Sequence, residues 1–247
     1  MSRNGLYLYG ILPKPLTQDL TLEGLDKQPV KTQDVNGFVF LYSHALQKQY
    51  LASRRNLLAH ERVLEQVMQE DCPTLLPLRF GLVVKNWQEI SNQLINPSQN
   101  QLHQLFEKLA GQREVSVKIL WDTKSELQMM MDSNPDLKQQ RDAMEGKNLS
   151  MDEVIQIGQL IESNLMERKE GVIQVFREQL QPFAKDVVEN EPMMEEMIYN
   201  AAFLIPWDAE SAFSDRVESI DKQFGDRLRI RYNNFTAPYT FAQLSPS

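Results

Sequence analysis

LLPLRFGLVV, residues 75–84, is an apolar run interrupted by Pro77, Arg79 and Gly81, and its reading decides the fold. An apolar run with no polar face suits a strand covered on both sides, so the sequence places it at the centre of a sheet. On that reading Arg79 lies in a buried strand. A guanidinium keeps its charge, and burying one without a partner costs several kcal/mol, so it must meet a carboxylate or several carbonyls. Glu61 lies on the preceding helical stretch, which packs across the strand that follows it in an α-then-β unit. An internal Arg79–Glu61 ion pair is therefore the expectation, with an exposed binding arginine and a catalytic arginine as the alternatives.

Toward the N-terminus, GLYLYGIL (5–12) alternates leucine and tyrosine as a half-buried strand does. PVKTQDV (29–35) and FVFLYS (38–43) flank Asn36-Gly37, two residues that tolerate positive φ, and read as a hairpin. From Ser53 to Glu70, Leu57, Leu64, Val67 and Met68 recur at helical spacing, opposite most of Arg54, Arg55, Arg62 and Glu65. Two short helices follow at 86–94 and 98–111, the second stopped by Gly111. Strand, hairpin, helix, strand and helix together suggest a ferredoxin-like α+β sandwich over residues 1–112.

A second α+β domain is expected over 113–233. VSVKILW (115–121) reads as a strand and TKSELQMMM as a helix, while 134–148 reads as a surface helix or a flexible connection. SMDE (150–153) has the form of a capping box and opens a long helix that runs to Pro182 despite Gly158 and Gly171. AKDVVEN reads as an edge strand, 197–207 as a buried strand, 208–225 as a helix with Asp208 as N-cap, and 226–233 as a last strand. The tail, 234–247, is expected to dock Phe235, Tyr239 and Phe241 on the body.

Composition excludes several classes. The formal charge of −8 disfavours nucleic acid, whose phosphates such a surface repels. No window of about 18 apolar residues appears, so no membrane-spanning helix is expected, and the opening residues enter a strand rather than a signal sequence. A cytosolic location follows as the expectation, supported by the single cysteine, Cys72. His44, His60 and His103 are scattered and offer no metal-ligand spacing. No Walker loop, G-x-G-x-x-G, G-x-S-x-G or H-E-x-x-H occurs, so no cofactor is implied.

The remaining candidates each have a plain reading. His60, beside the apolar stripe and next to Glu61, could do acid–base work with Glu61 and Arg79, but no nucleophile or metal is visible and a helix–sheet contact is the expected role. Cys72, flanked by Glu70 and Asp71, reads as inert, because adjacent acids raise a thiol pKa. Met129–Met131 and Met193, Met194 and Met197 suit core filling or an adaptable binding surface. The competing functions are a module holding a small ligand where two domains meet, and an enzyme built on His60, Glu61 and Arg79.

Several stretches in this order resemble the GvpF/GvpL family of gas vesicle proteins: LYLYGI, LLAHERVLEQVM (57–68), LLPLRFGLVV, REVSVKILWD (113–122) with Trp121, NAAFLIP (200–206) and APYTF (237–241). His60 and Glu61 match the family's His-Glu pair; Pro77, Arg79, Phe80 and Gly81 match its P-x-R-F-G signature; Pro238, Tyr239 and Phe241 fall in the terminal motif. Ala237 departs from the proline expected there. The resemblance implies two α+β domains, the first a modified ferredoxin-like fold, and a non-enzymatic accessory or minor structural protein. It also implies a vesicle-associated location and, as partners, the small apolar shell protein GvpA and other vesicle accessory proteins, without nucleic acid or lipid membrane.

Overall fold

The computed structural model describes residues 5–14, 21–69, 74–144 and 150–244. It is an α+β protein with two antiparallel sheets. Cys72 and part of the 134–148 stretch lie outside the described residues.

The first sheet is built around β1 (Gly5–Leu12), whose residues Tyr7 to Leu12 are buried. β2 (Lys31–Val35) and β3 (Phe38–Ala45) form the hairpin, with Asn36 at φ 51° and Gly37 at φ 93°, the geometry for which that dipeptide is suited. β3 pairs antiparallel with β1, and a register shift between Leu8 and Gly10 accommodates a bulge. α1 (Arg54–Gln69) lays His60, Val63, Leu64, Val67 and Met68 on this sheet. Leu57, expected on the buried face, is 40% exposed.

The opening stretch departs from its reading. It forms two short strands, β4 (Leu76–Pro77) and β5 (Val83–Val84), both paired with β1 and separated by a turn at Phe80-Gly81. The sheet order is β2-β3-β1-β4, with β5 also on β1, so β1 takes the central place that 75–84 was expected to fill. Pro77 has no N–H to give a continuous ladder, and Gly81, at φ 89°, turns the chain. Leu78 N–H to Tyr9 C=O (2.9 Å) and Leu8 N–H to Leu82 C=O (3.0 Å) stitch the two ends of the turn to β1.

α2 (Trp87–Ile90) and α3 (Asn96–Leu109) are joined by a π-helical segment, Ser91–Ile95. The two helices expected here thus form one interrupted rod, in which Asn96 N–H reaches Ser91 C=O just before Pro97 removes a donor. Gly111, at φ 69°, follows the helix end.

The second sheet has the order β7-β8-β6-β9, from β6 (Gln112–Trp121), β7 (Asp186–Glu189), β8 (Met197–Pro206) and β9 (Leu228–Thr236). β7 is an edge and β8 is buried along all but its last residue. α4 (Thr123–Ser133) and α5 (Pro135–Met144) pack on the first half of α6 (Met151–Leu180), where Met130, Met131 and Leu137 meet Ile157, Ile161 and Leu165. The Ser150–Glu153 capping box is fully formed. Phe203 and Phe213 pack edge-on at 5.2 Å beneath α7 (Glu210–Phe224). Asp208 does not cap that helix: residues Trp207–Ala209 form a 3-10 turn, and Ala209 occupies the cap position.

Backbone contacts divide the chain into two units: Met1–Val115 with Leu204–Asp208 and Asn234–Ser247, and Ser116–Phe203 with Ala209–Asn233.

Candidate functional site

Most of the residues singled out by sequence meet within the first unit, around one buried histidine. Alternation along β1 sends Tyr7 and Tyr9 toward α1, and helical periodicity sends His60 toward β1. His60 is 1% exposed, with its ring stacked on Tyr9 at 5.5 Å and edge-on to Phe80 at 5.8 Å. Its Nδ1 lies 2.9 Å from Tyr7 Oη, and its Nε2 lies 3.1 Å from Leu78 C=O and 3.0 Å from Tyr239 Oη.

The bonding pattern assigns the protons. Gly81 N–H donates to Tyr7 Oη (3.0 Å), which leaves the Tyr7 hydroxyl proton for His60 Nδ1. His60 Nε2–H then faces Leu78 C=O and Tyr239 Oη, and the Tyr239 hydroxyl donates to the Glu61 carboxylate. Burial lowers the His60 pKa to about 4, so the ring is neutral at neutral pH. Burial raises the Tyr7 and Tyr239 phenols, and it raises Glu61 against the opposing effect of the Tyr239 bond. The chain Gly81–Tyr7–His60–Tyr239–Glu61 ties β1, α1, the 78–81 turn and the C-terminal tail with matched donors and acceptors.

The tail is held by further contacts. Ala237 and Phe241 are buried, Pro238 is buried in a turn closed by Ala242 N–H to Pro238 C=O, and Lys108 lies over the Phe241 ring at 5.2 Å. Glu114, 5% exposed, accepts from Thr240 N–H (2.9 Å) and Thr240 Oγ1–H (2.7 Å). Arg113 lies between Trp207 (4.7 Å) and Phe235 (5.2 Å).

Arg79 is not part of this network. It is exposed beside the 80–81 turn, and the expected Arg79–Glu61 ion pair is not formed; Glu61 turns to Tyr239 instead. The expectation failed at its premise, because the strand that was to bury Arg79 is interrupted. Arg79→Met and Glu61→Gln should therefore be additive in a double mutant, with Arg79→Met alone within about 0.5 kcal/mol of the parent in a denaturant melt. Gly81→Ala meets no atom within 4 Å but must hold φ 89°, so a loss of about 1 kcal/mol is expected by the same measurement.

Trp121, 6% exposed, belongs to the second unit and lines a cavity of about 520 Å³ with Met129, Met194, Arg229 and Arg231. None of the described cavities of about 520, 320 and 290 Å³ is lined by His60, Glu61 or Arg79. Both His60 nitrogens are engaged, and the described residues contain no metal-ligating cluster. Among the described residues His60 is buried, Glu61 turns to Tyr239 and Arg79 is exposed, and none of these three cavities brings them together.

Sequence reasoning missed the partners of these groups. Tyr7 was legible as a strand residue but not as the hydroxyl 53 positions from His60. It also missed Glu126, 1% exposed, which receives a bidentate Arg227 (2.5 and 2.9 Å) and a more distant Arg168 (3.5 Å) in the second unit.

The class so defined is an α+β protein whose histidine-centred network ties elements of the fold together. Residues 5–243 match the family described as gas vesicle synthesis protein GvpL/GvpF, and the chain belongs to that family. It is 70% identical over 239 residues to gas vesicle protein F of Dolichospermum flosaquae, covering 97% of this chain and 98% of that protein. It is 66% identical to gas vesicle protein F of a Nostoc strain, covering 98% and 99%. The crystal structure of GvpF from Microcystis aeruginosa is similar at 60% identity with a TM-score of 0.88, covering 98% of this chain and 100% of that one.

Proposed function

We propose that this chain is a non-enzymatic accessory or minor structural protein of the gas vesicle, working in the cytoplasm at the vesicle shell, where it binds the small apolar shell protein GvpA and supports assembly. The family match over residues 5–243 carries this reading. Its first sheet, ordered β2-β3-β1-β4 with α1 between β3 and β4, fits a modified ferredoxin-like sandwich.

A shell subunit with one face destined for gas exposes apolar surface before assembly, and such surface aggregates in water. The first half of α6 offers a matching surface: Met151 (76% exposed), Ile155 (48%) and Met166 (63%) lie on its open side. Methionine side chains repack to fit varied partners. Pulldown of purified shell protein tests the proposal. Capture should occur with the parent chain and fall with Ile155→Glu and Met166→Glu; a parent that captures no shell protein would overturn it.

A further inference from the structure

The outward face of α1 carries a basic stripe. Arg55 and Arg62 lie one turn to either side of Leu58, which is 53% exposed, and Arg54 adds a third guanidinium along the same face. All three arginines are exposed, and among the described residues none forms an ion pair. On a chain of formal charge −8, three clustered cations around an exposed leucine stand apart from the surface as a whole.

A second observation lies beside it. Residues 22–30 form a narrow hairpin, closed by Val30 N–H to Leu22 C=O (2.8 Å), Gly24 N–H to Gln28 C=O (2.8 Å) and Gln28 N–H to Leu25 C=O (3.0 Å). Its tip holds Asp26 at φ 52° and Lys27 at φ 55°, a tight turn that asparagine and glycine fill without strain. The strained tip is fixed from below: Leu25 N–H donates to Tyr9 Oη (2.8 Å), and the Asp26 carboxylate accepts from Tyr50 Oη–H (3.0 Å) and Gln47 (3.3 Å). Between tip and helix runs a groove of about 320 Å³, walled by Lys27, Arg55 and Arg62, with Leu58 and Ala59 between them. Glu23 and Asp26 also line it, so two carboxylates face three cations and the groove keeps a net positive charge, with Asp26 turned to Tyr50 and Gln47.

We propose that this groove docks an acidic amphipathic helix of a partner protein, seating an apolar side chain on Leu58 and carboxylates against Arg55, Arg62 and Lys27. Arg55 and Arg62 stand two turns apart along α1 with Leu58 between them, so carboxylates two turns apart on a facing helix, with an apolar residue between them, match the pair, while the hydrogen-bonded tip holds the other wall of the groove in place before binding. The inference rests on the reading of this chain as a protein that acts through its surfaces; the groove is distinct from the α6 surface assigned to the shell protein.

The test uses the full chain and two labelled helical peptides with the same leucine stripe, one flanked by glutamate and one by lysine, read by fluorescence anisotropy. The glutamate peptide should bind and the lysine peptide should not. Arg55→Glu with Arg62→Glu should weaken binding about tenfold or more, Leu58→Asp should weaken it as well, and added salt should weaken it on the unmodified protein. Equal binding of both peptides, binding of neither, or an affinity unmoved by the arginine pair would overturn the proposal. So would sedimentation showing a dimer of the parent that the arginine pair dissolves, because the occupant would then be a second copy. Shell-protein capture by the same variants separates the two readings: loss of peptide binding with capture intact confines the effect to this groove.

Discussion

Replacing Glu126 with alanine is expected to lower the unfolding free energy by about 3–5 kcal/mol. The carboxylate is 1% exposed and takes both a bidentate hydrogen-bonded pair from Arg227 and a longer contact from Arg168. Removing it strands two guanidinia in a partly desolvated pocket: Arg227 is 27% and Arg168 28% exposed. The loss measures that stranded charge more than the worth of the pair. Replacing Glu126 and Arg227 together with apolar residues, as in Glu126→Leu with Arg227→Met, should recover the share of the loss due to Arg227 and leave that of the more distant Arg168. Denaturant melts of the parent, Glu126→Leu, Arg227→Met and the double give the coupling. A loss below about 1 kcal/mol for Glu126→Ala, or strict additivity in the cycle, would show that solvent compensates the arginines.

A buried guanidinium does need a carboxylate, but Arg79 is exposed and the guanidinium so held is that of Arg227. A tie of that kind exists between Glu126 and Arg227, 101 positions apart, where no local pattern could reveal it. Elements governed by local rules were legible: the alternation of β1, the Asn36-Gly37 hairpin turn and the Ser150–Glu153 capping box each carry their own geometry. The 75–84 stretch was misread because apolar content alone does not say where backbone hydrogen bonds go. Pro77 and Gly81 held that information, one lacking a donor and the other turning the chain. Asp208 failed for a similar reason, since the 3-10 turn through Trp207–Ala209 moves the helix start past it. The family motifs located His60, Glu61, Tyr239 and Gly81, but not the hydroxyl of Tyr7 that joins two of them.

Burial of His60 gives the folded protein a distinct response to acid. His60 is held neutral, with a folded pKa of about 4 against 6.5 for an unperturbed ring. Above 6.5 neither the folded nor the unfolded chain carries the proton. Between 6.5 and about 4 the unfolded chain binds a proton that the folded ring refuses, so the His60 contribution to stability falls as pH falls. Below about 4 both states are protonated and the loss is complete, amounting to about 3 kcal/mol. Glu61 and Glu114 act in the opposite sense, because burial raises their pKa and the folded state keeps their protons longer as pH rises. The His60 effect is therefore read as the difference between the parent and His60→Gln across that window, where the parent should lose stability more steeply toward acid. A direct measurement on the unmodified protein does not depend on that variant folding: the His60 ring, followed by NMR, should remain neutral, with the proton on Nε2, until about pH 4. A folded-state ring that titrates near 6.5 would mean that His60 is not desolvated between β1 and α1, and the network could not then be what ties the tail to β1.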